Sequence, residues 1–158
     1  MTTNNDYCFI GVDIGLKTIY FSKITSKGFL IEEKKMASPK PLMPGATTVQ
    51  ICDVVKALDP HKKNRGIGLL LPRKAETNSR SIEKIIGLPG WLNVPLVDWL
   101  EIRLKTEVTI LNSDRRNLPY SLCRGRAECC ENSFRDAFVA AYMASQYFKC
   151  IDYSERNL

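Results

Sequence analysis

No apolar run in this sequence approaches the ~18 consecutive residues that a membrane-spanning helix requires. The start, MTTNNDY, offers neither a basic stretch nor an apolar signal core, so the expectation is a soluble, cytoplasmic protein. No Cys-x-x-Cys pair occurs among the six cysteines, and the single histidine, His61, lies far from Cys123, Cys129 and Cys130. That spacing argues against a structural zinc site. A disulfide framework belongs to oxidising compartments, so the thiols read as reduced, with Cys8 and Cys52 as small core residues. His61 follows Asp59-Pro60 and reads as a solvated turn residue. Internal repeats, low-complexity tracts and a second domain are all lacking.

What remains is ordinary globular material, 44% hydrophobic and 25% charged over 158 residues. It suits one domain spanning 1–158, with an ordered core from about 7 to 148. The net charge of +6 favours polyanionic partners only modestly.

Tyr7 to Ile14 (YCFIGVDI) is an apolar run, and Thr18 to Ile24 is β-branched and aromatic. Gly28 to Met36 follows a turn at Thr25-Ser26-Lys27-Gly28, so the three segments predict an antiparallel meander. After a Pro-rich loop from Ser38 to Gly45, Ile51, Val54, Val55 and Leu58 predict a helix over about 48–58, capped by Thr47 or Thr48. Gly66 to Leu71 is wholly apolar, as in a buried parallel strand. Asn78 or Ser79 is placed to cap a short helix reaching Ile86. A further helix is predicted over about 95–104, with Asn93 as cap and Leu96, Trp99, Leu100 and Leu104 inward. Glu107 to Leu111 predicts a fifth strand. Phe134 to Phe148 predicts a closing helix with Ser133 as N-cap and Phe134, Phe138, Ala141, Ala144 and Phe148 on its apolar face.

The order β-β-β-α-β-α-β-α, with right-handed crossovers, predicts an α/β fold of ribonuclease-H-like plan. Its mixed five-stranded sheet has the first strand central and helices on both faces.

Asp13 ends a buried strand, where an ionised carboxylate needs hydrogen bonds, a partner or a cation. Asp136 lies near the start of the last helix and reads two ways, as a site carboxylate or as the acid of a near capping box with Ser133. Asp114, just past the fifth strand, is the best third acid for a two-metal site, and Glu76 is another. Arg73, Lys74, Arg80, Arg115, Arg116, Arg124 and Arg126 recur in loops beyond strands four and five. Open α/β sheets bind ligands at that end, and basic residues there suit phosphate contacts.

These motifs resemble two families. YCFIGVDIGLKTIYFSKI is similar to the first hairpin of RuvC-like nucleases, notably the YqgF-type Holliday junction resolvases. GIGLLLP, TILNSDRRN and FRDAFVAAYMASQYF fall where that family has its later strands and closing helix. The resemblance implies Asp13, Asp114 and Asp136 as metal-binding catalytic acids. The middle motif reads Ser113-Asp114-Arg115-Arg116, without that family's glutamate.

GVDIGLKT and LPGWLNVPLVDWLEIRLKTEVTIL also resemble the N-terminal lobe of ROK-family sugar kinases. Those enzymes share the fold, cradle phosphate with the hairpin and place a catalytic aspartate in an Asn-Asp pair after the strand. Here Asn112-Ser113-Asp114 puts serine at that position, and no second lobe with nucleotide-binding glycines is evident, so autonomous kinase activity is not expected. The leading expectation is therefore a nuclease acting on structured DNA or RNA with Mg²⁺ or Mn²⁺, its phosphate contacts made by Arg73, Lys74, Arg115, Arg116, Arg124 and Arg126. The alternative is a non-catalytic, kinase-lobe-derived binding or structural subunit. A homodimer is left open.

Overall fold

A computed structural model describes residues 7–72, 74–111 and 132–156. The first three strands, β1 (Cys8–Ile14), β2 (Thr18–Thr25) and β3 (Leu30–Ala37), form the meander read from the sequence. Helix α1 (Pro44–Leu58) leads to β4 (Asn64–Leu70), which runs parallel to β1. A small hairpin of β5 (Ala75–Thr77) and β6 (Ile82–Ile85) follows, then α2 (Leu96–Leu104), β7 (Val108–Ile110) and α3 (Asn132–Arg156). The main sheet has the order β3-β2-β1-β4-β7, with β1 central. Among the described residues, no helix is long and apolar enough to cross a membrane.

Alternation along β1 divides the protein into two layers. Ile10, Val12 and Ile14 point to the face covered by α1, α2 and the hairpin, with Ile19, Phe21, Ile67, Leu69, Val108 and Ile110 beside them. Phe9 points the other way and packs with Ile24 against Phe138, Ala141, Ala144 and Phe148 of α3. Helices on both faces explain why β4 reads as a continuous apolar run rather than an alternating one. β3 lies at the sheet edge, and its Glu-Glu-Lys-Lys centre discourages pairing with another chain.

The contact of α3 with the sheet is made by backbone. A Cβ on Gly11 would lie 2.0 Å from the Ala137 carbonyl oxygen and 2.3 Å from the Ala141 nitrogen. Gly68, the β4 partner of Gly11, faces the Ala140 carbonyl at 2.5 Å in the same sense. Only glycine lets the helix approach this closely.

Three local expectations are corrected. Residues 78–86 form a β-turn and strand, not a short helix. Ile82 and Ile85 are both buried, which suits one helical face equally well, but Ile82 exchanges backbone hydrogen bonds with Val94 at 2.9 and 2.8 Å. That long-range pairing, together with β-branched content, decides for strand. Helix α1 starts four residues before the expected Thr48, with Pro44 in its first turn, where a missing N–H costs nothing. Thr47 and Thr48 are therefore not caps, and their hydroxyls donate back to the carbonyls of Met43 and Pro44. Asn93 is not the cap of α2, whose N-cap position is Pro95; it adopts φ 53° and donates its N–H to the Glu83 carbonyl.

Candidate functional site

The carboxyl ends of β1, β4 and β7 lie together, and the sequence-predicted residues distribute around them. Asp13 is half-buried near the end of β1, opposite Tyr20 of β2 and Leu70 of β4. It lies on the α3 face, two residues beyond Gly11. Along that face Gly66 meets Phe148, Gly68 meets Ala140 and Ala144, and Gly11 meets Ala137 and Ala141. Rising numbers on the strands thus match falling numbers on α3, so its N-terminal end lies over the carboxyl ends of the strands. Asp13 and Asp136 consequently share one end and one face of the sheet. α3 begins at Asn132, so Asp136 lies just past its first turn.

The β1–β2 turn beside Asp13 is tightly held. The Gly15 N–H donates to the Thr18 carbonyl at 3.1 Å, and the Ser38 hydroxyl donates to the Gly15 carbonyl at 2.7 Å. The Ser38 N–H donates to the Lys17 carbonyl at 2.9 Å, tying the turn to the segment after β3. A Cβ at Gly15 would come within 2.6 Å of the Thr18 oxygen, so this position requires glycine.

On the other side of the strand ends is a cleft of about 690 Å³. Leu71, Ile110 and Leu111 supply apolar surface, and the β5–β6 hairpin supplies Glu76, Thr77, Asn78, Ser79 and Glu83. Reading these residues as a helix hid the cleft. The hairpin wall is what creates it, and the polar run Glu76-Thr77-Asn78-Ser79 was the only trace in the sequence.

Of the other predicted residues, Lys74 is exposed, and Arg80 is committed to ion pairs with Asp98 and Glu101 at 2.5 and 2.7 Å. These two acids push the Arg80 guanidinium pKa further above its already high value, Glu101 first. Asp114 and Arg73, Arg115, Arg116, Arg124 and Arg126 lie outside the described residues. Among the described residues no group of three or more His, Cys, Asp or Glu side chains could hold a metal ion. Cys8 and Cys52 are buried, and burial pushes the Cys52 thiol pKa up. His61 is exposed in a turn, as expected.

The comparisons with known proteins point one way. A 113-residue stretch is 30% identical to a glucokinase of Halalkalibacterium halodurans, covering 68% of this chain and 34% of that protein. Among solved structures, an inorganic polyphosphate/ATP-glucomannokinase from Arthrobacter sp. strain KM superposes with a TM-score of 0.60 at 22% identity, over 70% of this chain and 46% of that one. A ROK-family glucokinase from Streptomyces griseus, in complex with glucose and AMPPNP, gives 0.59 at 21% identity, over 69% and 34%. A ROK-family protein from Streptococcus pneumoniae, in complex with sucrose, gives 0.54 at 16%, over 74% and 38%. No family model matches. The chain spans about a third of the length of the curated relative.

The mixed sheet is therefore the fold shared by ROK sugar kinases, and the resemblance to their lobe is supported. The resemblance to RuvC-like and YqgF-type nucleases is not, and the expected nuclease acting on structured DNA or RNA is overturned by the glucokinase and sugar-kinase relatives. The physical reason for the error is that an Asp-Ile-Gly strand end and an apolar parallel strand belong to the shared fold, and do not by themselves separate the two chemistries. The described lining of the cleft carries Glu76 and Glu83.

Proposed function

We propose that this chain is a sugar-binding lobe of ROK type, taking a hexose-like ligand into the cleft at the ends of β4 and β7. The observation that carries the reading is the composition of that cleft within a fold whose relatives are sugar kinases. A pyranose presents a ring of hydroxyls around an apolar C–H face. Carboxylates accept from hydroxyls, amide and hydroxyl side chains both donate and accept, and Leu71, Ile110 and Leu111 suit the C–H face. The cleft volume falls within the ~300–1,000 Å³ of ordinary small-ligand sites.

Phosphoryl transfer by this lobe is not expected. Serine at position 113 replaces the aspartate of the kinase pattern in an ungapped match, and a serine hydroxyl does not accept a proton from a sugar hydroxyl at neutral pH. Asp13 and Asp136 suit one carboxylate-to-metal contact, as a Mg²⁺–nucleotide complex uses, better than a dedicated two-metal cage. Asp13 would meet such a metal at the β1 end, beside the tied β1–β2 turn. The metal would supply charge neutralisation of phosphate.

Titration calorimetry of the folded chain with glucose, mannose and sucrose tests the reading. Saturable binding of at least one sugar, weakened by Glu83→Gln combined with Glu76→Gln, is expected, with no sugar phosphate formed from Mg-ATP or polyphosphate. Absence of binding by a folded chain refutes it.

A further inference from the structure

The cleft wall is a two-stranded hairpin, and short isolated hairpins do not hold their own geometry in water. Something must fix its distance from the strand ends opposite. The turn 78–81 is closed internally by Asn78, whose side-chain oxygen accepts the N–H groups of Arg80 and Ser81, each at 2.8 Å. This makes the turn rigid and leaves its position undetermined. The strand after it is pinned by the paired Ile82–Val94 bonds and by the Asn93 N–H to the Glu83 carbonyl, and from the turn itself two backbone tethers reach outward: the Ile110 N–H donates to the Ser79 carbonyl at 2.9 Å, and the Val97 N–H donates to the Arg80 carbonyl at 3.1 Å.

The third tether is a side chain. Arg80 Nη2 donates to Asp98 Oδ1 and Glu101 Oε1 of α2, and the second oxygen of Glu101 accepts the N–H of Val108 at 3.0 Å. One carboxylate therefore joins the hairpin turn to the first residue of β7. Ser79 and Ile110, both in the cleft lining, meet directly through their backbone bond close to this link.

We infer that Arg80 is a positioning residue of the cleft, a latch that reinforces the seating of the hairpin turn against α2 and β7 and thereby raises the affinity for the sugar. The inference rests on the sugar-binding reading for its ligand, and on the geometry alone for the latch. Arg80 makes no part of the described lining. Its side chain is 54% exposed, so its ion pairs add little to global stability and are screened by salt. Both carboxylates accept from the one Nη2 at the end of the long arginine side chain, a reach that the shorter lysine reproduces only in part.

The test compares the wild-type chain with Arg80→Ala and Arg80→Lys in two assays. In hydrogen exchange without ligand, Arg80→Ala should speed exchange across 75–85 and at the start of β7, leaving β1 and β4 unchanged, with Arg80→Lys intermediate. In calorimetry with the sugar that the wild type binds, Arg80→Ala should weaken affinity about tenfold, the scale of ordering a loop on binding. Raising salt should bring wild-type affinity towards the alanine value. Unaltered exchange in Arg80→Ala overturns the latch whatever the sugar result, and so does equal, salt-independent affinity of wild type and variant. A wild type that binds no sugar, with faster hairpin exchange in Arg80→Ala, upholds the latch and removes the sugar reading instead.

Discussion

Replacing Gly11 with alanine is the sharpest perturbation the fold offers. The added methyl would sit 2.0 Å from the Ala137 carbonyl oxygen and 2.3 Å from the Ala141 nitrogen, both backbone atoms of α3. Neither can rotate away, so relief requires the helix to retreat by roughly 1.4 Å to reach ordinary contact distance. Such a gap forfeits much of the dispersion between α3 and the sheet, where Phe9, Phe138 and Phe148 are buried. Overpacking commonly costs about 1–3 kcal/mol. With backbone on both sides the loss should fall at the top of that range, near 3 kcal/mol, lowering Tm by about 10 °C for a chain of this size. Gly66→Ala should cost less, because its close neighbour is the Phe148 ring, which can shift. Gly45→Ala serves as control: nothing lies within 4 Å of its added methyl, and alanine in α1 should stabilise by about 0.5–1 kcal/mol. Urea unfolding of the three variants measures the series. A Gly11→Ala midpoint equal to the wild-type value would refute the close docking of α3.

Three further predictions concern the opposite face. Trp91 is buried and its indole N–H donates to the Leu42 carbonyl at 2.8 Å, so Trp91→Phe should cost about 2–3 kcal/mol through lost volume and an unsatisfied carbonyl, read by urea unfolding. Burial raises the Cys52 pKa, with Arg103 and Lys56 opposing it, so the folded state holds this proton to higher pH than the unfolded chain does. Its contribution to stability should therefore fall as pH rises through the ordinary thiol range, and the Cys52→Ala variant should lack that component of the decline. Peptide mapping after brief iodoacetamide treatment at neutral pH should find Cys52 labelled slowly in the native state and quickly in urea.

The sheet was legible because its evidence is local. β1 and β2 carry apolar and β-branched residues at strand spacing, a turn separates β2 from β3, and β4 is apolar throughout. Right-handed crossovers then leave few arrangements, and β1 at the centre follows. The same logic located Asp13 near the carboxyl end of β1 and assigned Phe138, Ala141, Ala144 and Phe148 to the inner face of α3. Asp114, read in the same way, lies outside the described residues.

The hairpin was illegible for an equally physical reason. Buried isoleucines three apart at 82 and 85 satisfy a helix and a short, bulged strand alike, and the choice rests on Val94, far along the chain. The chemistry was ambiguous because one carboxylate at a strand end serves many reactions. Amino-acid pattern alone determined the strand order and the two-layer packing, since periodicity and chain connectivity are properties of neighbours in sequence. Tertiary structure alone decided that a cleft exists there, that acids and hydroxyls line it, and that Arg80 joins its wall to α2. Those depend on which residues distant in sequence come within hydrogen-bonding reach once the core has packed.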